Sequence, residues 1–332
     1  MRYRLTLIEG DGIGPEVTGA TTRVLEAAGA PIDWERVPAG MAAWEQLGNP
    51  LPPVVLESIR RNRVGLKGPL MTAKGSGYRS ANVTLRRELQ LFTGWRPVQN
   101  LPGVKSRYSD VDLVVLRENT QGLYGGIEHE VTPGTIVSLK VSSAEAGERI
   151  ARWAFDYVCN AGRRKITVCH KKSVLPKADG AFVEAFYSVG SAYPFIEQED
   201  KALDEVSMRL ADDPSDFDVI LLQNLYGDII SDLCAGLVGG LGVVPGANVG
   251  DRIAVFEAVH GTAPDIAGKD LANPLAVLLS GVLMLEYIGE RKVADRVRRA
   301  VWDVLAKGAV RTHDLGGTAS CSEFTDALID AL

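Results

Sequence analysis

Val219-Ile-Leu-Leu222-Gln-Asn224-Leu-Tyr-Gly-Asp228-Ile-Ile-Ser-Asp232-Leu-Cys-Ala-Gly236 is the stretch that sets the architecture of this chain. Its first four residues are consecutive aliphatics, the composition of a strand buried on both faces. The spacing then becomes helical, and residues 227–237 are predicted as a helix. The same strand-then-helix order recurs outward in both directions. Residues 5–8 precede a helical pattern at 15–28, residues 113–116 precede 144–159, and residues 166–169 precede 178–189. Such alternation predicts an α/β protein whose sheet is largely covered by helices. Residues 274–289, 292–307 and 320–332 read as helical. Turn-rich stretches at 96–108 and 245–251 are the expected crossings between two lobes. The predicted organisation is a discontinuous first domain, 1–98 with 250–332, and a second domain, 99–249, inserted into it.

Asp228 and Asp232 are four apart, so a helix carries both on one face, where two like charges repel. A solvated face is one reading. Their neighbours are apolar or small, however, and carboxylates there call for a cation; all-oxygen ligation suits Mg²⁺ or Mn²⁺. A second polar group comprises Ser80, Asn82, Arg86, Arg96 and the run Arg117-Glu-Asn-Thr-Gln-Gly-Leu-Tyr124. Arg86 and Arg117 lie beside aliphatic residues, and a guanidinium there needs an anion. Structural acids and a bound carboxylate both satisfy that need. Gly10-Asp-Gly-Ile-Gly-Pro-Glu16 follows the first strand and matches neither G-x-x-x-x-G-K-[ST] nor G-x-G-x-x-G. A tight strand-to-helix turn is the simpler reading, with Pro15 suited to the first helical turn. Gly75-Ser-Gly77 lies in a loop of small residues, a composition common in lids.

The chain has 332 residues, 46% of them hydrophobic and 23% charged, and its formal net charge is −6. That balance excludes disorder and argues against a general nucleic-acid binder, which would carry a broad basic stripe. The apolar run 276–285 is too short to span a bilayer. The N-terminus reads as a polar strand with no signal peptide. The four cysteines form no C-x-x-C pair and the four histidines are scattered, so buried thiols in a reducing compartment are expected. Together these features predict a cytoplasmic protein without membrane or nucleic-acid partners.

Taken together, Gly10–Glu16, the Ser80/Asn82/Arg86/Arg96 group, Arg117-Glu-Asn, Asn224–Asp232 and His260-Gly-Thr-Ala-Pro-Asp265 resemble the β-decarboxylating dehydrogenases, the isocitrate/isopropylmalate dehydrogenase family. The match runs in order along almost the whole chain. Residues 68–96, 125–131 and 314–326 most resemble the short NAD-dependent isocitrate dehydrogenases. The resemblance implies an isopropylmalate dehydrogenase-like two-domain α/β fold, with a mixed central sheet flanked by helices and not a standard Rossmann fold. It implies NAD together with Mg²⁺ or Mn²⁺. By the same resemblance Asp228 and Asp232, with Asp204 of a neighbouring subunit, bind the metal. Arg86, Arg96 and Arg117 clamp substrate carboxylates, and Ser80 and Asn82 read the distal acid. Tyr124 and Lys171 move protons, with Lys171 reaching across a dimer. Thr72, His260, Gly261, Thr262, Ala263, Asp265, Ile266 and Asn273 contact the cofactor. Sharing Lys171 and Asp204 implies a homodimer, or a higher oligomer built from it.

The implied reaction oxidises the alcohol of an anionic 2-hydroxy acid and releases CO₂, most readily isocitrate to 2-oxoglutarate. An acid at Asp265 accepts hydrogen bonds from ribose hydroxyls and repels a 2′-phosphate. NADP-using relatives have Lys-Tyr where this chain has Asp265-Ile266, so NAD is expected. Homoisocitrate, tartrate, isopropylmalate and a phosphonomethylmalate-type acid are the alternative substrates. A non-catalytic regulatory subunit is a further alternative. Against it stands the presence of Asp204, Asp228, Asp232, Tyr124 and Lys171. Lys172-Ser173 stands where the family pattern has Ala-Asn, Glu205 where it has Asn, and Gln121 where it has Glu.

Overall fold

The computed structural model describes residues 2–71 and 80–332. Its strands are β1 (Tyr3–Ile8), β2 (Ile32–Arg36), β3 (Val64–Lys67), β4 (Thr93–Gln99), β5 (Asp112–Glu118), β6 (Glu128–Thr132), β7 (Thr135–Ser138), β8 (Lys165–His170), β9 (Glu197–Ala202), β10 (Val219–Leu222), β11 (Ala247–Val249) and β12 (Ala254–Glu257). Ten of them form one sheet in the order β2-β1-β3-β12-β11-β4-β5-β10-β8-β9, and β6 and β7 form a separate hairpin. At one side β2, β1, β3 and β12 are mutually parallel. At the other side β5, β10, β8 and β9 are also parallel. Between these blocks β11 and β4 join through three successive antiparallel pairings. This is the mixed sheet that the resemblance implies.

The predicted strands are present, extended by a residue or two at their ends, and β10 spans the same four residues that the sequence indicated. Period-2 alternation explains why they had to be covered on both faces. In β5, Leu113 and Val115 enter the larger core while Val114 and Leu116 enter a second one. In β10, Ile220 and Leu222 face the first and Val219 and Leu221 the second. Helices Ala144–Asn160 and Ala178–Gly190 cover the second core, and Gly14–Ala27, Asn224–Leu237, Leu275–Tyr287 and Arg291–Lys307 line the first. Residues 275–285 are all buried, so that helix is apolar all round because it runs through the core. Among the described residues no helix is long and apolar enough to cross a membrane.

The structure corrects one sequence reading. Residues 96–108 and 245–251 were expected as turn-rich crossings, yet residues 96–99 belong to β4 and 247–249 to β11, strands that pair with each other at the centre of the sheet. Proline and glycine concealed them. Pro97 pairs with Val114 of β5 but lies beyond the residues of β4 that β11 reaches, so its missing N–H breaks no ladder bond on that side. The helix after β10 also begins a turn earlier than predicted, at Asn224. Gly10–Gly14 is a strand-to-helix turn with Pro15 in the first helical turn. The backbone N–H of Ile13 donates to the carbonyl of Thr262 at 2.9 Å, so this turn braces the loop after β12. Thr72 and the loop with Gly75 and Gly77 lie outside the described residues.

Candidate active site

Where the antiparallel strands join the two parallel blocks, charged strand ends converge on a cavity of about 190 Å³. Its wall includes Lys67, Leu70, Asn82, Arg86, Arg96, Arg117, Asp228, Ser231, Asp232, Glu257, His260 and Gly261. β5 delivers Arg117 at its penultimate position, and the helix that follows β10 delivers Asp228, Ser231 and Asp232. Close approach of the two depends on Gly227. A Cβ there would lie 2.6 Å from Cγ and 2.7 Å from Cβ of Arg117, so only glycine lets the helix settle onto the arginine.

Arg117 is fixed on every side. Its Nε and one terminal nitrogen donate to Asn224 Oδ1 at 3.1 and 2.8 Å, and the other terminal nitrogen donates to Asp228. Its guanidinium also lies 5.0 Å from the centre of the Tyr124 ring. Tyr124 donates its hydroxyl to the second oxygen of Asp228. Burial and the Asp228 carboxylate both push the Tyr124 phenol above its ordinary value, so at neutral pH it keeps its proton. Asp232 makes no hydrogen bond or ion pair with the described residues. Partial burial and the neighbouring Asp228 push its carboxyl upward. That is the behaviour of two acids sharing a site that a cation would relieve.

On the opposite wall Lys67 ends β3 and Glu257 ends β12, and the two are register partners. Lys67 Nζ sits 2.6 Å from the Glu257 carboxylate, with both side chains buried. Arg86 reaches the same carboxylate at 3.2 Å and Arg96 approaches it at 3.9 Å. Arg96 also donates to the carbonyls of Trp95 and Ala247, at 3.1 and 2.9 Å. Burial pushes Arg96 down to about 10, still charged at neutral pH. Gly246 makes room for it, since a Cβ there would lie 2.5 Å from its guanidinium. The arginines therefore satisfy both sequence readings, pairing with structural acids while lining a cavity.

The structure groups Asn82, Arg86, Arg96, Arg117, Asp228, Asp232 and Gly261 around this cavity. Asn82 has a buried Oδ1 with no partner. Ser80 precedes the helix Ala81–Glu88 and makes no capping bond, and it does not line the wall. Tyr124 reaches the site through Asp228.

Lys171 and Asp204 stand apart from the cavity wall. They pair with each other at 2.6 Å, and the Asp204 side chain is 69% exposed. Among the described residues no three acids, histidines or cysteines gather closely enough to hold a metal. Asp228 and Asp232 supply hard oxygen donors of the kind a divalent cation takes.

His260 borders both this cavity and a second one of about 410 Å³, lined by Ile13, Gly242, Ile266, Leu271, Ala272, Asn273, His313 and Asp314. Its Nε2 is buried without a partner, and burial pulls the imidazole below its ordinary value, so it stays neutral. Asn273 donates to Asp314 at 2.8 Å and accepts from Leu275 N–H at 3.0 Å, capping the buried helix. Thr262, Ala263 and Asp265 lie on the loop between β12 and that helix; Asp265 is exposed and no helix starts beside it. An apolar-walled pocket with an orphaned nitrogen at its junction with a cationic one fits a nucleotide end and a reacting end.

A model of the isocitrate/isopropylmalate dehydrogenase family matches residues 4–328. The chain belongs to that family. It is 46% identical over 325 residues to the probable isocitrate dehydrogenase [NAD] subunit alpha, mitochondrial, of Drosophila melanogaster, covering 98% of this chain and 86% of that protein. It is 47% identical over 308 residues to the chloroplastic 3-isopropylmalate dehydrogenase of Solanum tuberosum, covering 92% and 86%. The crystal structure of isocitrate dehydrogenase from Methylococcus capsulatus superposes with a TM-score of 0.96 at 46% identity, covering 100% of this chain and 99% of the other. A β-decarboxylating dehydrogenase of the isocitrate/isopropylmalate type therefore accounts for the cavity.

Within this family site, sequence reasoning missed Lys67, Glu257, Asn224, Ser231, Ile13, His313 and Asp314. Lys67 and Glu257 did leave a signal, a charge closing an aliphatic run. The three departures from the family pattern have local partners. Gln121 exchanges hydrogen bonds of 2.8 Å with the side chain and backbone of Ser143, which caps the helix Ala144–Asn160. Glu205 pairs with Arg209 at 3.1 Å on its own helix. Lys172 pairs with Asp200, which also takes a 2.8 Å bond from His170, while Ser173 is exposed.

Proposed function

We propose that this chain oxidises isocitrate with NAD⁺ and a divalent metal, releasing CO₂ and 2-oxoglutarate. Charge balance in the cavity carries the reading. Lys67, Arg86, Arg96 and Arg117 face Asp228, Asp232 and Glu257, leaving one positive charge. A bound dication raises this to three, the charge of isocitrate. Asp204 and Lys171 from a second copy would carry opposite signs and leave the sum unchanged. Isopropylmalate, with two carboxylates and an apolar branch, would leave one cation unmatched.

Asp228 and Asp232 would hold a divalent metal, which would supply Lewis-acid polarisation, and the loop at 260–273 would hold NAD⁺, which would supply a hydride acceptor. The protein's part is positioning and proton transfer. Arg117 would exchange Asp228 for a substrate carboxylate, and Arg86, Arg96 and Asn82 would hold the others. Lys171, delivered by a second copy, would take the hydroxyl proton. Tyr124, kept protonated beside Asp228, would return one to the enol carbon. Asp265 would favour NAD⁺ over NADP⁺.

The reading requires a homodimer, and exposed apolar residues offer a surface for one. Hairpin β6–β7 exposes Val131, Ile136 and Val137, and Met208 and Ile229 are exposed on the helices that carry Asp204 and Asp228. The division at 99–249 and a reducing, cytoplasmic setting belong to the same proposal. Initial rates with isocitrate, homoisocitrate, isopropylmalate, tartrate and phosphonomethylmalate, each with NAD⁺ or NADP⁺ and Mn²⁺, test it. Isocitrate with NAD⁺ should give the highest kcat/KM, and a chelator should abolish it. A higher value for another acid overturns the substrate, and no turnover by the pure chain points to a regulatory subunit.

A further inference from the structure

Lys67 is one of the largest fully buried side chains of the protein, and it lines the cavity from the end of β3. Burying an ammonium is costly without a close anion. Glu257 is that anion, yet it is shared by three cations, at 2.6 Å from Lys67, 3.2 Å from Arg86 and 3.9 Å from Arg96. A cluster serving stability alone would be matched charge for charge, or replaced by apolar packing, which is often as stable. Here three cations share one carboxylate, which leaves two positive charges of the cluster unmatched by it.

We infer that Glu257 is a positioning residue for the acid groups of the substrate: its buried carboxylate fixes the tips of Lys67, Arg86 and Arg96 in one fan along the cavity wall. The inference rests on the proposed action on a tricarboxylic hydroxy acid. Register supplies the geometry. Glu257 on β12 is the strand partner of Lys67, and β11 separates it from the strand of Arg96, so one carboxylate reaches cations from β3, from β4 and, through Arg86, from the helix Ala81–Glu88. Its own orientation is locked from behind. Asn248 on β11 donates to Glu257, and Asn119 donates to Asn248 at 2.9 Å. Asn119 follows β5 directly, two residues past Arg117, so the relay ties the fan to the strand carrying the fourth cation. Without Glu257 the three cations repel, Lys67 loses the anion that holds its proton against burial, and incoming carboxylates meet tips that point apart.

The sign of the effect separates aiming from bulk charge. Glu257→Gln adds one positive charge to the cavity, so simple attraction predicts tighter binding of isocitrate. Positioning predicts the reverse: affinity for isocitrate with Mn²⁺, measured by calorimetry without cofactor, should weaken about tenfold or more. Far-UV circular dichroism of wild-type form and a single cooperative urea transition should report an intact fold. The kcat/KM profile should gain an earlier alkaline limb, because Lys67 without its anion sheds its proton at lower pH. Glu257→Asp should recover part of the affinity and return the limb toward its original place. Wild-type or tighter isocitrate binding by a folded Glu257→Gln chain with an unmoved limb overturns the inference. Should that variant fail to fold, Lys67→Met/Glu257→Gln is compared with Lys67→Met alone. Weaker binding by the double variant supports the inference, and equal binding overturns it. If the wild type ignores isocitrate, the substrate reading fails by itself, and the variants are read on the acid that it does turn over.

Discussion

Arg117 on β5 and Asp228 on the helix after β10 form an ion pair at the cavity, and the neighbouring Gly227 lets their backbones come close enough to make it. The arginine side chain is 5% exposed and the aspartate 41%, so the pair points its acid toward the cavity and its base toward the protein. A carboxylate thus waits at the mouth, already held by an arginine and a tyrosine hydroxyl.

Gly227→Ala should disturb both stability and catalysis. The added methyl would meet Arg117 at 2.6–2.7 Å, and neither partner can retreat, since one is helix backbone and the other a strand residue. A loss of about 1–3 kcal/mol in urea unfolding is expected. A kcat reduced by about tenfold or more should accompany it, because misplacement near the reacting groups is costly.

Glu257 should leave a mark on acid stability. Its neighbouring cations hold its carboxyl well below the ordinary glutamate value of 4.5. A depressed carboxylate stabilises the folded state above its unfolded value, and that contribution is lost as pH falls through the folded one. Urea midpoints of the wild type should therefore decline below the ordinary glutamate range. Glu257→Gln should start lower at pH 7, by about 3–5 kcal/mol, and decline less over the same acid window. Parallel declines in the two chains would contradict this.

The exposed hairpin gives a direct test of the shared site. Ile136 is 65% exposed on β7, and Ile136→Lys should cost little in a monomer but place a charge inside the proposed dimer contact. Light scattering should show monomers, and activity should fall in step with dissociation. Mixing Lys171→Ala and Asp228→Ala chains should restore part of the activity lost in each. Verified mixed dimers without recovery would argue against exchange of residues between copies.

Asp265 is exposed on the loop bordering the second cavity, near Ile266, which lines it. Asp265→Lys with Ile266→Tyr should move the ratio of kcat/KM for NAD⁺ over NADP⁺ toward NADP⁺ by about tenfold or more, as repulsion of the 2′-phosphate becomes attraction. An unchanged ratio would mean that the adenosine ribose lies elsewhere.

Local patterns carried a large share of the fold. The aliphatic runs of β5, β8 and β10 and the helices after them follow from period-2 and helical spacing alone. Asp228 and Asp232 share a helix face for the same reason. β4 and β11 escaped because their pairing is with each other and with neighbours distant in sequence. Arg96 and Pro97, or Asn248 beside Gly246, read as turn residues until the sheet supplies the strand partners of Arg96, Pro97 and Asn248.

What the sequence determined by itself was the most regular strands and helices, the α/β class and the order of the family motifs, because each depends on residues close along the chain. What only the tertiary structure decided was which charges meet. Lys67 and Glu257 each end an unremarkable aliphatic strand, and they become one ion pair solely because β3 and β12 lie side by side. The same holds for Arg117 with Asp228, and for Lys171 with Asp204, which pair with each other away from the cavity of their own chain. Electrostatic interaction depends on distance in space and on the water that burial removes, and neither quantity is written in the spacing of residues along a chain.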